Sequence, residues 1–120
     1  TYTCGDDCII DPGAIVGLAY RNDAAPARLG AHCVVRAGAI IYADVVAGSY
    51  LQTGHHVMVR EHTVIGDHVV LGTNTVVDGR VTIGSFVKIE SNCYIPTDVV
   101  IGSRVFLGPG VVLTNDRYPL

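Results

Sequence analysis

Ile65-Gly66-Asp67-His68-Val69-Val70, Leu71-Gly72-Thr73-Asn74-Thr75-Val76 and Val77-Asp78-Gly79-Arg80-Val81-Thr82 follow one another without a gap, and they are one six-residue phrase said three times. A bulky aliphatic opens each phrase, turn-forming residues follow, and a second, smaller apolar or Thr position comes four residues after the first. Working outward, the opening position holds its register from Leu29 to Leu113: Leu29, Val35, Ile41, Ala47, Thr53, Val59, Ile65, Leu71, Val77, Ile83, Ile89, Ile95, Ile101, Leu107 and Leu113. Of these only Thr53 is polar. Glycine often comes next, as at Gly30, Gly48, Gly54, Gly66, Gly72, Gly84, Gly102 and Gly108. A period of six sustained over 85 residues is a repeat and not an accident of composition. The abundance of Val, Ile and Gly and the missing 3.6-residue period exclude helix.

Six residues suffice for a short strand and a turn, with Gly, Asn and Asp supplying the backbone angles that turns need. Chains of such units wind into parallel β-solenoids whose coils stack about 4.8 Å apart. Upstream of Leu29 the pattern continues in a shifted frame through Cys4-Gly5, Ile10-Asp11 and Val16-Gly17. The slip falls at 20–28, a polar, Pro-containing stretch that reads as a loop inserted into a single domain spanning 1–120.

The composition fits that architecture. Hydrophobic residues make up 49% and charged residues 16% of the 120, which suits large buried faces, including faces against sister subunits. A net charge of −3 with no Lys/Arg cluster argues against nucleic acid. No apolar run is long enough to cross a bilayer and no signal peptide is visible, so no membrane partner and a cytoplasmic location are expected. Cys4, Cys8, Cys33 and Cys93 fall on inward positions of the repeat and are expected to be buried free thiols acting as small hydrophobes.

The repeat resembles the hexapeptide repeat of left-handed parallel β-helix acyltransferases. The resemblance implies an all-β, single-stranded left-handed solenoid with triangular coils of eighteen residues, here 29–46, 47–64, 65–82, 83–100 and 101–118. The general rule for parallel crossovers would favour the opposite hand. An eighteen-residue coil stacks Gly38, His56, Asn74, Asn92 and Gly110 at one corner, and His32, Tyr50, His68, Phe86 and Arg104 at a second. The third corner stacks Asp44, His62, Arg80, Asp98 and Asp116, beside Ala43, Glu61, Gly79, Thr97 and Asn115.

The inside of such a prism is too tightly packed for substrate, so chemistry belongs on corners, loops and faces between subunits. The run from Thr53 to His62 places His55 and His56 at one corner and Glu61 with His62 at the next. A neutral imidazole can take a proton near pH 7 and a carboxylate can orient it, which makes His55, His56 and Glu61 the catalytic candidates. The Gly-His turn followed by Arg-Glu is similar to a pattern in several hexapeptide acyltransferases. Phe106-Leu107-Gly108-Pro109 and Thr114-Asn115-Asp116-Arg117-Tyr118-Pro119 resemble a segment of nucleotide-sugar N-acetyltransferases. That resemblance implies a homotrimer transferring an acetyl group from acetyl-CoA, with no metal, to the amine of a nucleotide-linked amino sugar used for surface polysaccharide. It also implies that Asn115 and Asp116 meet the sugar; Asn92 is a further substrate-binding candidate. The family continues past this segment with coils that carry much of the coenzyme A site, so either more chain follows Leu120 or another element covers the open coil edge, and the cofactor-binding residues stay unassigned.

Three alternatives remain at this level. One is O-acetylation of a sugar or another small acceptor. Another is a zinc protein like the γ-class carbonic anhydrases, whose pattern includes two histidines five apart; His32, His55, His56, His62 and His68 contain no such pair. The last is a non-catalytic or ice-binding solenoid, which would show a Thr ladder on every coil that Thr53, Thr63, Thr73, Thr75 and Thr82 do not form.

Overall fold

The computed structural model describes residues 1–115. The described residues run through seventeen short strands, all in parallel sheets, and include no helix. Most strands have two residues because every phrase of six must also turn. In the first circuit β1 (Tyr2–Cys4), β2 (Ile9–Ile10) and β3 (Ile15–Leu18) lie on three different sides, and β4 (Ala27–Leu29), β5 (Val34–Val35) and β6 (Ile40–Tyr42) stack on them in that order. Two sides are six-stranded sheets and the third is five-stranded, extended by a bridge from Tyr94 to Val112.

From β4 onward each residue pairs with the one eighteen positions later. Side one matches Val46 with Val64, Thr82 and Val100; side two matches Val34 with Gln52, Val70, Lys88 and Phe106; side three matches Ile40 with Met58, Val76 and Tyr94. These are the outward residues, and the aliphatic register points in. Val35, Ile41, Val59, Leu71, Val77, Ile89 and Ile95 are wholly buried, as are Leu51, Val57 and Val69 of the second inward position. Three threonines share this interior. Thr75 Oγ1 donates to the Glu90 carbonyl at 3.0 Å and accepts the Cys93 N–H at 3.3 Å, and Thr53 Oγ1 accepts the Arg36 N–H at 3.4 Å. The Thr63 hydroxyl is buried with no hydrogen-bond partner.

The three expected corner columns form, with a left-handed backbone at each turn: φ is +59° at His56, +64° at Asn74, +62° at Asn92, +61° at Asp44 and +60° at His62. The aromatic column stacks face to face. Ring centroids are 4.9 Å apart from His32 to Tyr50, 4.5 Å to His68 and 4.9 Å to Phe86, with the Arg104 guanidinium 5.0 Å above Phe86. These distances match the coil spacing, so planar groups at one corner meet at stacking distance for free.

The first circuit departs from the repeat. Ile10 pairs with Val35 and Val16 with Ile41, a step of twenty-five residues, seven more than the others. The extra residues leave the prism after Leu18 and return at Ala27, so the loop occupies 19–26 and not 20–28: Ala27 and Arg28 are strand residues because Tyr2 and Thr3 pair with them. A bulge at Gly17 (φ +82°) starts the departure, and a Cβ there would lie 1.9 Å from the Thr1 carbonyl oxygen. The Thr1 nitrogen donates to the Gly17 carbonyl at 3.0 Å, which holds the residue before β1 over this position.

The cysteine expectation needs correcting. Cys33 and Cys93 are buried free thiols, but Cys4 is exposed and Cys8 half-buried. Both hold inward registers, Cys4 opposite Leu29, yet they belong to the first circuit, which has a described coil on one side only. No helix of the described residues is long and apolar enough to cross a membrane.

Candidate active site

The corner between sides two and three carries His55, His56 and Asn92. Consecutive turns put His56 and Asn92 in one column with Asn74 between them, and the His56 ring lies against Gly38, where a Cβ would meet it at 2.3 Å. The His55 Nδ1 lies 3.2 Å from the Ala37 carbonyl. A carbonyl only accepts, so Nδ1 carries the hydrogen and Nε2 keeps its lone pair. Beside it runs a groove of about 430 Å³ lined by Arg36, Gln52, His55, Thr73 and Ser91 over a floor of Val34, Val70 and Leu71.

Glu61 and Asn115 sit on the next corner, between sides three and one. The structure does not bring Glu61 to His55. Its carboxylate takes the Arg60 guanidinium at 3.1 Å, and Arg60 in turn lies 4.9 Å over the Tyr42 ring. Arg60 is thereby held more firmly protonated, chiefly through that hydrogen bond. Asn115 donates from Nδ2 to the Thr97 carbonyl at 2.7 Å, one coil away in the same column. Asp116 lies outside the described residues. The described candidates thus form two groups on the two edges of side three, and among the described residues no hydrogen bond or ion pair joins the groups.

The same corner holds a cluster that sequence reasoning left unassigned. Tyr20, from the inserted loop, donates its phenol to Asp44 Oδ2 at 2.5 Å, and its oxygen lies 3.0 Å from His62 Nε2. The Ala25 N–H donates to Asp44 Oδ1 at 3.0 Å, and the Asp44 N–H returns a bond to the Ala25 carbonyl at 2.8 Å, so one aspartate ties down both ends of the loop. The Tyr20 ring meets the His62 ring edge-on with centroids 6.0 Å apart. The phenol's hydrogen bond, ahead of a smaller opposing effect of burial, holds the Asp44 carboxyl below the usual carboxylate range. The same bond pushes the Tyr20 phenol up. Two grooves flank the cluster. One, about 420 Å³, is lined by Thr3, Ala25, Pro26, Arg28, Asp44, Val46 and His62; the other, about 220 Å³, by Arg60, Glu61, His62, Asp78, Gly79, Arg80 and Thr97. His62 borders both. The eighteen-residue register stacks Asp44 beneath His62, which was a readable signal; nothing in the repeat could place Tyr20, which is outside it. Among the described residues no three His, Cys, Asp or Glu side chains of one chain converge on a metal-sized site.

Two family descriptions match the chain: "Bacterial transferase hexapeptide (six repeats)" over residues 80–115 and "Hexapeptide repeat of succinyl-transferase" over 62–97. Together these hexapeptide transferase descriptions cover residues 62–115 of the chain. Both matches lie in the uninterrupted coils. The fold agrees with that of LpxA, a UDP-N-acetylglucosamine acyltransferase from Bacteroides fragilis, at a TM-score of 0.88 and 20% identity over 92% of this chain. The chain spans about half of that protein, 48% of its length. The solenoid is a left-handed parallel β-helix, as the resemblance implied and against the general crossover preference. A second solved structure, a variant of AntD, an N-acyltransferase from Bacillus cereus in complex with dTDP and coenzyme A, overlays at a TM-score of only 0.40 with 13% identity, covering 90% of this chain and 74% of that one. No curated protein matches the sequence.

Proposed function

We propose that this protein is a hexapeptide-repeat acyltransferase that moves an acetyl group from acetyl-CoA to the amine of a nucleotide-linked amino sugar, as a cytoplasmic homotrimer with its sites between neighbouring copies. The observation that carries the reading is the transferase hexapeptide repeat, matched over 62–115 by the two family descriptions together. The Thr114-Asn115-Asp116 segment supports the choice of acceptor. Asn92, Asn115 and Asp116 are the proposed substrate contacts, and His55, His56 and Glu61 the proposed catalytic candidates. His55 has a tautomer suited to accepting a proton at Nε2.

The outward column of side three supports the assembly. Ile15, Ile40, Met58, Val76, Tyr94 and Val112 hold no charge, and Val112 is 65% exposed. A copy packed on this face would bury apolar surface and close over both edges, where the two groups of candidates lie. An aliphatic amine is partly neutral near pH 7, so positioning against the thioester supplies much of the rate and a moderate base suffices.

Acetyl transfer by the full-length protein to a panel of nucleotide amino sugars tests this, comparing wild type with His55→Ala and Asn115→Ala. Transfer to at least one acceptor, weakened in both variants, is expected. Full activity in both would remove these site assignments, and no transfer to any acceptor would remove the activity.

A further inference from the structure

We infer that His62 is a proton-transfer residue of this acyl transfer, positioned by Tyr20 and Asp44; the inference rests on the acyltransferase reading and adds to its machinery a group outside the sequence-derived candidates. The hydrogen count decides the geometry. A phenol has one proton, and at 2.5 Å it goes to the Asp44 carboxylate. The Tyr20 oxygen must then accept from His62 Nε2 at 3.0 Å, so Nε2 carries a hydrogen and Nδ1 is the free lone pair of an exposed ring. Carboxylate, phenol and imidazole form a line in which each orients the next. When Nδ1 takes a proton, the imidazolium is stabilised by an anion one phenol away.

His55 lacks such support, since its ring faces a neutral carbonyl and the nearest acid in sequence, Glu61, is taken by Arg60. His62 also has the better position, being the one side chain that borders both grooves of its corner. A two-substrate transfer needs a proton carrier where two binding surfaces meet. Arg28 lines the larger groove and makes no ion pair among the described residues, so it is available to a phosphate, which both the coenzyme and a nucleotide sugar carry.

In the step, the acceptor nitrogen attacks the thioester carbon, a C–N bond forms and the carbonyl π pair moves to oxygen. Nδ1 takes the proton from the resulting ammonium. The oxygen pair then re-forms C=O, the C–S bond breaks with its pair on sulfur, and the imidazolium returns its proton to the coenzyme A thiolate. His62 ends as it began.

The test is steady-state acetyl transfer by the full-length protein with His62→Ala and Tyr20→Phe. The charged and titratable groups around the ring are Asp44 and Tyr20, Arg21 from the loop, Glu61 on its own turn, and Arg28, Arg60, Asp78 and Arg80 along the two grooves it borders. His62→Ala is expected to lower kcat by about 10²-fold or more with KM within about threefold, and added imidazole should restore part of it. Tyr20→Phe keeps the ring but removes the oxygen that accepts from Nε2, so kcat should fall about tenfold with KM within about threefold. Thermal melts of both variants report whether they are folded. Wild-type transfer with His62→Ala within threefold of it would overturn the inference and leave the acyltransferase reading standing. So would an inactive but folded His62→Ala that imidazole does not rescue, together with a Tyr20→Phe whose kcat equals that of wild type. No transfer by wild type to any acceptor would overturn both.

Discussion

Thr63→Val should stabilise this protein. The Thr63 side chain is fully buried and its hydroxyl has no partner, while the repeat places Val45 one coil before it and Val81 one coil after it in the same inward column. Valine has nearly the same shape, so the substitution exchanges an orphaned hydroxyl for a methyl without opening a cavity. Leaving a buried polar group unpaired costs about 1–3 kcal/mol, and that is the expected gain. With an unfolding entropy of roughly 2.1 cal/mol/K per residue, a chain of 120 residues should melt about 4–12 °C higher. Thr75→Val is the internal control with the opposite sign: it removes the acceptor of the buried Cys93 N–H and the donor to Glu90, and should cost about 1–3 kcal/mol. Urea melts with unchanged m-values measure both. Thr63→Val no more stable than wild type, or Thr75→Val equal to it, would refute the reasoning that polar satisfaction distinguishes these interior threonines.

Gly72→Ala tests how closely the coils stack. A Cβ there would lie 2.5 Å from both the Glu90 carbonyl carbon and the Ser91 nitrogen, which are backbone atoms of the next coil and cannot rotate away. A loss of about 1–3 kcal/mol is expected by thermal or urea melting, and a loss under about 0.5 kcal/mol would contradict it. The loop tie should respond to acid. Because Asp44 is depressed in the folded state by the Tyr20 phenol, its stabilisation is present above the unfolded carboxyl value of about 3.9 and is lost as pH falls through the lower folded value. The Ala25 amide resonance should report release of the loop only in strong acid, and Tyr20→Phe should move that release to higher pH; an unmoved transition would mean the phenol does not hold the carboxylate.

Almost all of the prism was legible, because a solenoid reduces folding to one register. Once Leu29 and Leu113 share a period of six and a coil holds three phrases, the neighbours of every residue follow, and His32, Tyr50, His68 and Phe86 meet as stacked rings where the arithmetic put them. The same arithmetic placed His55 beside the Thr73–Ser91 groove and Glu61 on a different corner. What it could not give was direction and partnership within a corner. Glu61 turns to its own neighbour Arg60, a local choice that coil spacing does not control. The exposure of Cys4 had a different cause: register assigns a facing, and burial also needs a coil on each side. Tyr20 was illegible in the strict sense, since a loop outside the period has no column.

That last point bears on where chemistry can arise in such a fold. A perfect repeat offers every coil the same corner, and a corner built from turn residues in a left-handed conformation has its backbone groups already paired with the coils around it. Two features are needed for a proton carrier there: a titratable side chain and a partner that sets its tautomer. The column supplies the first at His62 and the carboxylate at Asp44, one coil apart, but a coil spacing of about 4.8 Å is too long for those groups to bond directly when both leave the prism in parallel. The phenol of Tyr20 spans the gap, bonding one at 2.5 Å and the other at 3.0 Å. Within the repeat, Arg80 reaches Asp98 at 3.0 Å in the same column because its side chain is long; at Asp44 and His62 the bridge comes from a segment free of the repeat. The seven additional residues of the first circuit therefore do more than interrupt the repeat. They turn two stacked corner residues into a connected set, and they make His62 different from every other histidine in the chain.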